Sequence, residues 1–153
     1  MNIFCIFALS NDKITNLEIQ TAMQKLTLEY PLSTKSTKLV WDMIGNAAGL
    51  QKWIADKVVE DEDTLTFTWG QPWTERDTKT SRILEIEKMD HIRLLWDYHE
   101  DTPDAYWEMR IEQSDLTGMI NLLITDFADD DDVDGLKILW ESMLDRLHRA
   151  SGL

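Results

Sequence analysis

"ADDDDVDGLKILWE", residues 128–141, decides between two folds. Asp130, Asp132, Asp134, Gly135 and Glu141 fit the calcium-loop pattern of an EF-hand, with carboxylates at loop positions 1, 3, 5 and 12 and glycine at position 6. The flanking residues favour a different reading. "MINLLITDF", just upstream, alternates like a strand, whereas an EF-hand needs an entering helix. Lys137 takes the eighth loop position, where a buried aliphatic side chain is usual. Val133 and Leu136 are in phase with Leu139, Trp140, Met143, Leu144 and Leu147, the i, i+3, i+4, i+7 spacing of one helix face. In a helix running from about residue 132, Glu141 lies roughly 13 Å along the axis from Asp132, too far for ligands that must all sit about 2.3–2.6 Å from one ion. The stretch therefore marks the place where a last strand ends and a long helix begins. Its acidic start caps that helix, and Arg146, His148 and Arg149 near its end complement the dipole. No metal site is expected.

Working upstream, "TLTFTWG" sets Leu65, Phe67 and Trp69 against three threonines. "TSRILEIEKMDHIRLLW" reads as two strands around a turn at Met89-Asp90, the second aligning Ile92, Leu94 and Trp96. "AYWEMRIEQ" alternates Trp107, Met109 and Ile111 with Glu108, Arg110 and Glu112; "TGMINLLITDF" aligns Ile120, Leu122 and Ile124. Near the front, "QKLTLEYPLS" puts Leu26, Leu28 and Tyr30 on one strand face, and Pro31 ends the strand or places its end at a sheet edge. Ser33, Ser36 or Thr37 can cap a helix carrying Leu39, Val40, Met43 and Ile44. "GNAAGL" breaks it, and a second short helix carries Leu50, Trp53 and Ile54. Residues 1–22 lack this periodicity. They read as an extension ahead of a domain spanning residues 23–153, with an added strand or helix as the alternative.

The order is strand, two short helices, about six antiparallel strands, and a long amphipathic helix. One face of the sheet needs a cover, and the last helix holds the one long apolar stripe. A strongly twisted sheet can curl around it. The expected class is α+β, a curved antiparallel sheet wrapped around a C-terminal helix.

The stretches "YPLSTKSTKLVWDMI", "GLQKWIAD", "SRILEIEKMDHIRLLW" and "ILWESMLDRLHRASGL" resemble the START-like, Bet v 1-like superfamily with its helix-grip fold, in the branch related to the C-terminal domain of the Hsp90 ATPase activator. "LLITDFADDDD" is similar to a small group of bacterial START-like domains of unknown function. The resemblance covers residues 23–153 and implies the helix-grip fold. For function it implies a choice among lipid carriers, ring-closing enzymes and chaperone regulators. One departure is local: those relatives usually carry a Gly-Gly turn before a mid-sheet strand, where this chain reads "EDEDTLTF".

Composition narrows that choice. The chain has 153 residues, a net charge of −14, seven tryptophans and one cysteine, Cys5. The charge opposes binding to nucleic acid or to an anionic membrane, both of which need a basic surface. No run of about 18 apolar residues exists to span a membrane, and "MNIFCIFALS" lacks the basic start of a signal peptide. One cysteine permits no internal disulfide, which fits a cytoplasmic location.

Catalytic groupings are sparse. His91 sits by a turn, His99 at an acidic hairpin tip in "WDYHEDTPD" and His148 near the chain end. No pair of them has metal-ligand spacing, no cofactor motif occurs, and no catalytic residue is assigned. Glu108, Arg110 and Glu112 read most simply as an exposed ladder of charge pairs. Asp126 is in phase with Ile120, Leu122 and Ile124; an exposed strand-end carboxylate is the simpler reading, a carboxyl at a cavity mouth the alternative.

The favoured function is non-catalytic binding of a small hydrophobic or aromatic ligand between sheet and C-terminal helix. The lining would come from Leu65, Phe67, Trp69, Leu94, Trp96, Trp107, Met109, Ile111, Leu122, Ile124, Trp140 and Met143. A co-chaperone-like protein-interaction domain is the first alternative, and a cyclase- or hydrolase-type enzyme using a cavity carboxylate the second. A homodimer would form through the N-terminal segment or an exposed strand edge, and a basic protein partner would engage the acidic patch or the sheet surface.

Overall fold

A computed structural model describes residues 23–71 and 73–153 of the chain. The expectation for residues 1–22 lies outside the described residues. Seven strands form one antiparallel sheet: β1 (Met23–Pro31), β2 (Lys57–Asp61), β3 (Thr64–Trp69), β4 (Asp77–Glu87), β5 (His91–Trp96), β6 (Trp107–Gln113) and β7 (Ile120–Asp129). Their spatial order is β1-β7-β6-β5-β4-β3-β2, so the first strand lies beside the last and every other pairing joins sequence neighbours. Helices α1 (Thr37–Ile44) and α2 (Ala47–Leu50) follow β1, and α3 (Val133–Ser151) ends the fold. This is the expected α+β helix-grip architecture.

Register carries the alternating pattern into one face. Ile92 pairs with Met109, Leu94 with Trp107, Met109 with Ile124 and Ile111 with Leu122, and all are buried. The α3 stripe of Trp140, Met143, Leu144 and Leu147 lies in the same core. Each such side chain contributes about 1.5–3 kcal/mol relative to exposure, so α3 is held mainly by this face. Gly152, at φ 77°, ends the helix in the left-handed conformation. Leu153 then tucks in, and its carbonyl accepts from Ser33 N at 3.0 Å.

Several local details differ from expectation. The second helix is shorter, ending at Leu50, with Trp53 and Ile54 in the turns beyond it. The Ile54 carbonyl accepts from Trp69 Nε1 at 2.8 Å, which holds the chain against β3 instead of in a further helical turn. β2 was not singled out in the sequence; its KVVED buries one residue, Val58. Asp132 occupies the N-cap position of α3 but makes no side-chain cap bond, because its backbone (φ −106°, ψ −5°) is already helical instead of extended. With α3 beginning at Val133, Asp134, Gly135 and Glu141 are spread along a helix and form no loop.

Two backbone positions fix the corners that frame the sheet and its early helices. A Cβ on Gly49 would lie 2.0 Å from the Asp42 carbonyl oxygen, so only glycine lets α2 pass α1 this closely. Between β2 and β3, Glu62 adopts φ 54°, a left-handed turn conformation that favours glycine.

Candidate functional site

Where α3 crosses the strand ends, the packing opens into a pocket of about 310 Å³. Trp69 (β3), Asp77 and Lys79 (β4), Trp96 (β5), Trp107 (β6), Asp126 and Phe127 (β7) form the sheet side. Leu136, Leu139, Trp140 and Met143 come from α3, Ile54 from the turn after α2, and Tyr98 and His99 from a short 3-10 turn after β5.

The tryptophans are locked by their neighbours. Trp107 Nε1 donates to the fully buried Ser81 Oγ at 2.9 Å, Trp140 Nε1 to Asp126 Oδ2 at 2.9 Å, and Trp69 Nε1 to the Ile54 carbonyl. With those polar tips engaged, the rings offer faces and edges to the pocket. Trp96 stacks on Trp107 (centroids 5.1 Å apart, planes 11° apart) and on Tyr98 (5.9 Å, 7°). Trp140 meets Trp107 at 6.0 Å. The Lys79 ammonium lies 5.9 Å from the Trp69 ring centroid and 5.6 Å from that of Tyr98, within cation–π range.

Asp126 is the buried acid of this site. The β7 alternation that turns Ile120, Leu122 and Ile124 inward turns Asp126 inward too, one step further along, and it is only 8% exposed. The simpler expectation of an exposed strand-end carboxylate is therefore corrected. Its Oδ1 accepts from Phe127 N at 2.8 Å and its Oδ2 from Trp140. Burial pushes its pKa up to about 6, despite those two bonds. Burial likewise pushes Tyr98 up to about 12, with the Asp126 charge adding to the effect. His99 Nδ1 is buried without a hydrogen-bond partner among the described residues.

Of the twelve side chains expected to line a cavity, Trp69, Trp96, Trp107, Trp140 and Met143 border this pocket. Leu65, Phe67, Leu94, Met109, Ile111, Leu122 and Ile124 are buried in the packed core behind it. Phe67, for example, fills the space between Trp69, Trp96 and Trp107, with centroids 5.3–6.1 Å away. Sequence reasoning passed over Ile54, Asp77, Lys79, Tyr98, His99 and Phe127 as lining residues. Leu136 and Leu139 were in the helical phase all along.

A second polar cluster lies on the opposite face of the sheet. Glu108 is buried, which corrects the expectation of an exposed ladder. Arg93 reaches it from β5 at 2.8 Å and Arg110 from within β6 at 3.3 Å, and the Arg93 guanidinium stacks 4.2 Å over Tyr106. Burial raises the Glu108 pKa, but the hydrogen bonds from Arg110 and Arg93 outweigh it and hold the carboxyl below its usual range. His91 joins the cluster through Asp90 and Glu85. Burial opposes its charge, yet those two bonds outweigh it and raise its pKa. Glu85, His91 and Glu108 bring ligand atoms within 4.8 Å of one another. Both Glu108 oxygens already face guanidiniums, however, so the arrangement is that of an ion-pair network.

Among the described residues, no helix is long and apolar enough to cross a membrane. No curated protein matches the chain. Among solved structures, BfR322 from Bacteroides fragilis is 38% identical, with a TM-score of 0.58 over 84% of this chain and 90% of that one. SA2116 from Staphylococcus aureus, a protein of unknown function, is 10% identical (TM-score 0.62, covering 86% and 96%). The Aha1 protein of Colwellia psychrerythraea, solved as a dimer, is 9% identical (TM-score 0.61, covering 84% and 96%). At such identities the last two are similar in fold alone. A family profile for the START-like superfamily domain matches residues 20–153, nearly the whole chain. The protein belongs to the START-like superfamily.

Proposed function

We propose that this domain binds a small, flat, largely apolar molecule in the pocket between sheet and α3, and that it acts in the cytoplasm as a carrier or sensor of that molecule. One observation carries the reading: Trp69, Trp96, Trp107 and Trp140 converge on one pocket, and three of their four indole N–H groups are bonded to the protein itself. Rings held in this way present apolar faces at little entropic cost, and a volume of about 310 Å³ suits a one- or two-ring ligand. Native mass spectrometry of the purified chain should reveal a co-purifying small molecule, and ligands that enter should quench tryptophan fluorescence. A bare protein whose emission no aromatic or lipid probe alters would overturn the proposal.

A second reading has one observation in its favour. Asp126 shares the pocket with His99 and Tyr98, and its carboxyl titrates at about 6, where it can give or take a proton near neutral pH. On that reading the domain carries out acid–base chemistry on the molecule it binds. Turnover of a bound ligand by the wild type but not by Asp126→Asn would favour it over simple binding.

A further inference from the structure

The pocket is apolar in its walls, and its lining carries two carboxylates against one ammonium. Asp126 is the buried carboxylate of the lining and Asp77 the exposed one. Lys79 is the one ammonium among the lining residues, and it is already engaged, 3.7 Å from Asp77 and over the Trp69 and Tyr98 rings. Each Asp126 oxygen accepts one bond from the protein. A carboxylate oxygen can accept about two, so one acceptor direction remains on each. His99 Nδ1, buried on the same pocket, adds a third unused position, an acceptor when the ring proton is on Nε2. Aromatic faces favour cations as well as flat apolar groups, and Lys79 shows these rings hosting one.

We infer that the pocket selects a ligand with a flat aromatic body and a protonated amine, the ammonium donating to Asp126 and towards His99 Nδ1, and that it rejects aromatic carboxylates. This inference rests on the binding reading above and gives it a ligand class. The ring fills the space between the indoles, and the amine supplies the N–H donors that the buried acceptors lack. A carboxylate in the same pose would set two negative charges against each other in a poorly hydrated site.

Burial pushes Asp126 up to about 6, so the ionised form needed to hold an ammonium is lost as the pH falls. The ionisable groups that share its pocket are Tyr98 and His99 from the 3-10 turn and Asp77 and Lys79 from β4; α3 contributes Trp140, Leu136, Leu139 and Met143, and β1 pairs Leu26 with Asp126, none of them ionisable. Amine binding should therefore weaken between pH 8 and pH 5, while binding of a neutral analogue should stay level.

Three probes with one ring separate the cases: 2-phenylethylamine, 2-phenylethanol and phenylacetate, titrated calorimetrically into the full chain. The amine should bind about tenfold or more tightly than the alcohol, and phenylacetate should be weakest. Asp126→Asn should erase the preference for the amine over the alcohol. The wild-type pH series reads the same property without any variant. Equal binding of amine and alcohol, tightest binding of phenylacetate, or an amine preference that survives in Asp126→Asn would each overturn the inference and leave the pocket reading intact. No binding of any probe at millimolar concentration would overturn both.

Discussion

Replacing Asp126 by asparagine should move stability in the variant's favour between pH 5 and pH 8. The carboxyl is buried, and its pKa stands at about 6 in the folded chain, against an ordinary value of about 3.9 in the unfolded one. Folding therefore raises the affinity for the proton. As the pH rises from about 4 the unfolded state releases its proton first, and stability is lost through the folded pKa near 6. Linkage with these two values puts the cost of ionising Asp126 at about 1.5 kcal/mol at pH 5 and about 3 kcal/mol at pH 8. Asparagine keeps one oxygen to accept from Trp140 or Phe127 but not both. That loss costs about 1–3 kcal/mol and is the same at both pH values. The net effect at one pH could thus have either sign, whereas the difference between the two is set by ionisation. Urea unfolding of both proteins, followed by circular dichroism, should show the variant gaining about 1.5 kcal/mol on the wild type between pH 5 and pH 8. A gap that stays constant, or moves the other way, would refute the assignment of a raised pKa to this carboxyl.

The ion-pair face predicts the opposite pH trend. Glu108 titrates below its usual range, so its stabilisation is present above about pH 4.3 and is lost as the pH falls through the folded pKa. Glu108→Gln should cost about 1–2 kcal/mol at pH 7, modest because Arg93 and Arg110 are each about one-third exposed, and the deficit should shrink below pH 4; a deficit independent of pH would contradict the ion-pair account. Glu62→Gly should raise stability by up to about 1 kcal/mol, since glycine adopts φ 54° without strain, and a fall in the urea midpoint would count against strain at that turn. Calcium at low millimolar concentration should shift the melting temperature by less than about 2 °C, because Asp132 and Glu141 are separated along α3; a rise of ten degrees would restore the calcium-loop reading.

How much of this was legible depended on which physical pattern each residue obeyed. Helix α3 was readable because seven apolar residues kept one period and the acidic run upstream did not interrupt it. β2 was not, because an edge strand with one buried residue carries no alternation. The phase of β3, β5, β6 and β7 told which way Phe67, Leu94 and Trp107 point but not how deep each sits. Depth depends on which neighbours close the gap, so Phe67 fills the core while Trp69, two residues on, borders the pocket. Tyr98 and His99 lie on a 3-10 turn of three residues, too short to show any period. Glu108 looked exposed because its strand phase faces away from the helix. Its cover comes from long side chains on the neighbouring strand and two residues on, a contact made in three dimensions alone.

The pairing of β1 with β7 has a consequence for synthesis. β2 to β6 can each pair with the strand made just before or just after them. β1 must wait for its neighbour until about 90 further residues have been added, which takes roughly 5–20 s at ribosomal speed. Helix α3 emerges later still, so the tryptophan-bearing inner face of a half-made sheet stands open to water throughout that interval. Emergence of α3, more than any event within the sheet, then ends its exposure to aggregation, and slowing translation should lengthen the period in which a holding chaperone is needed.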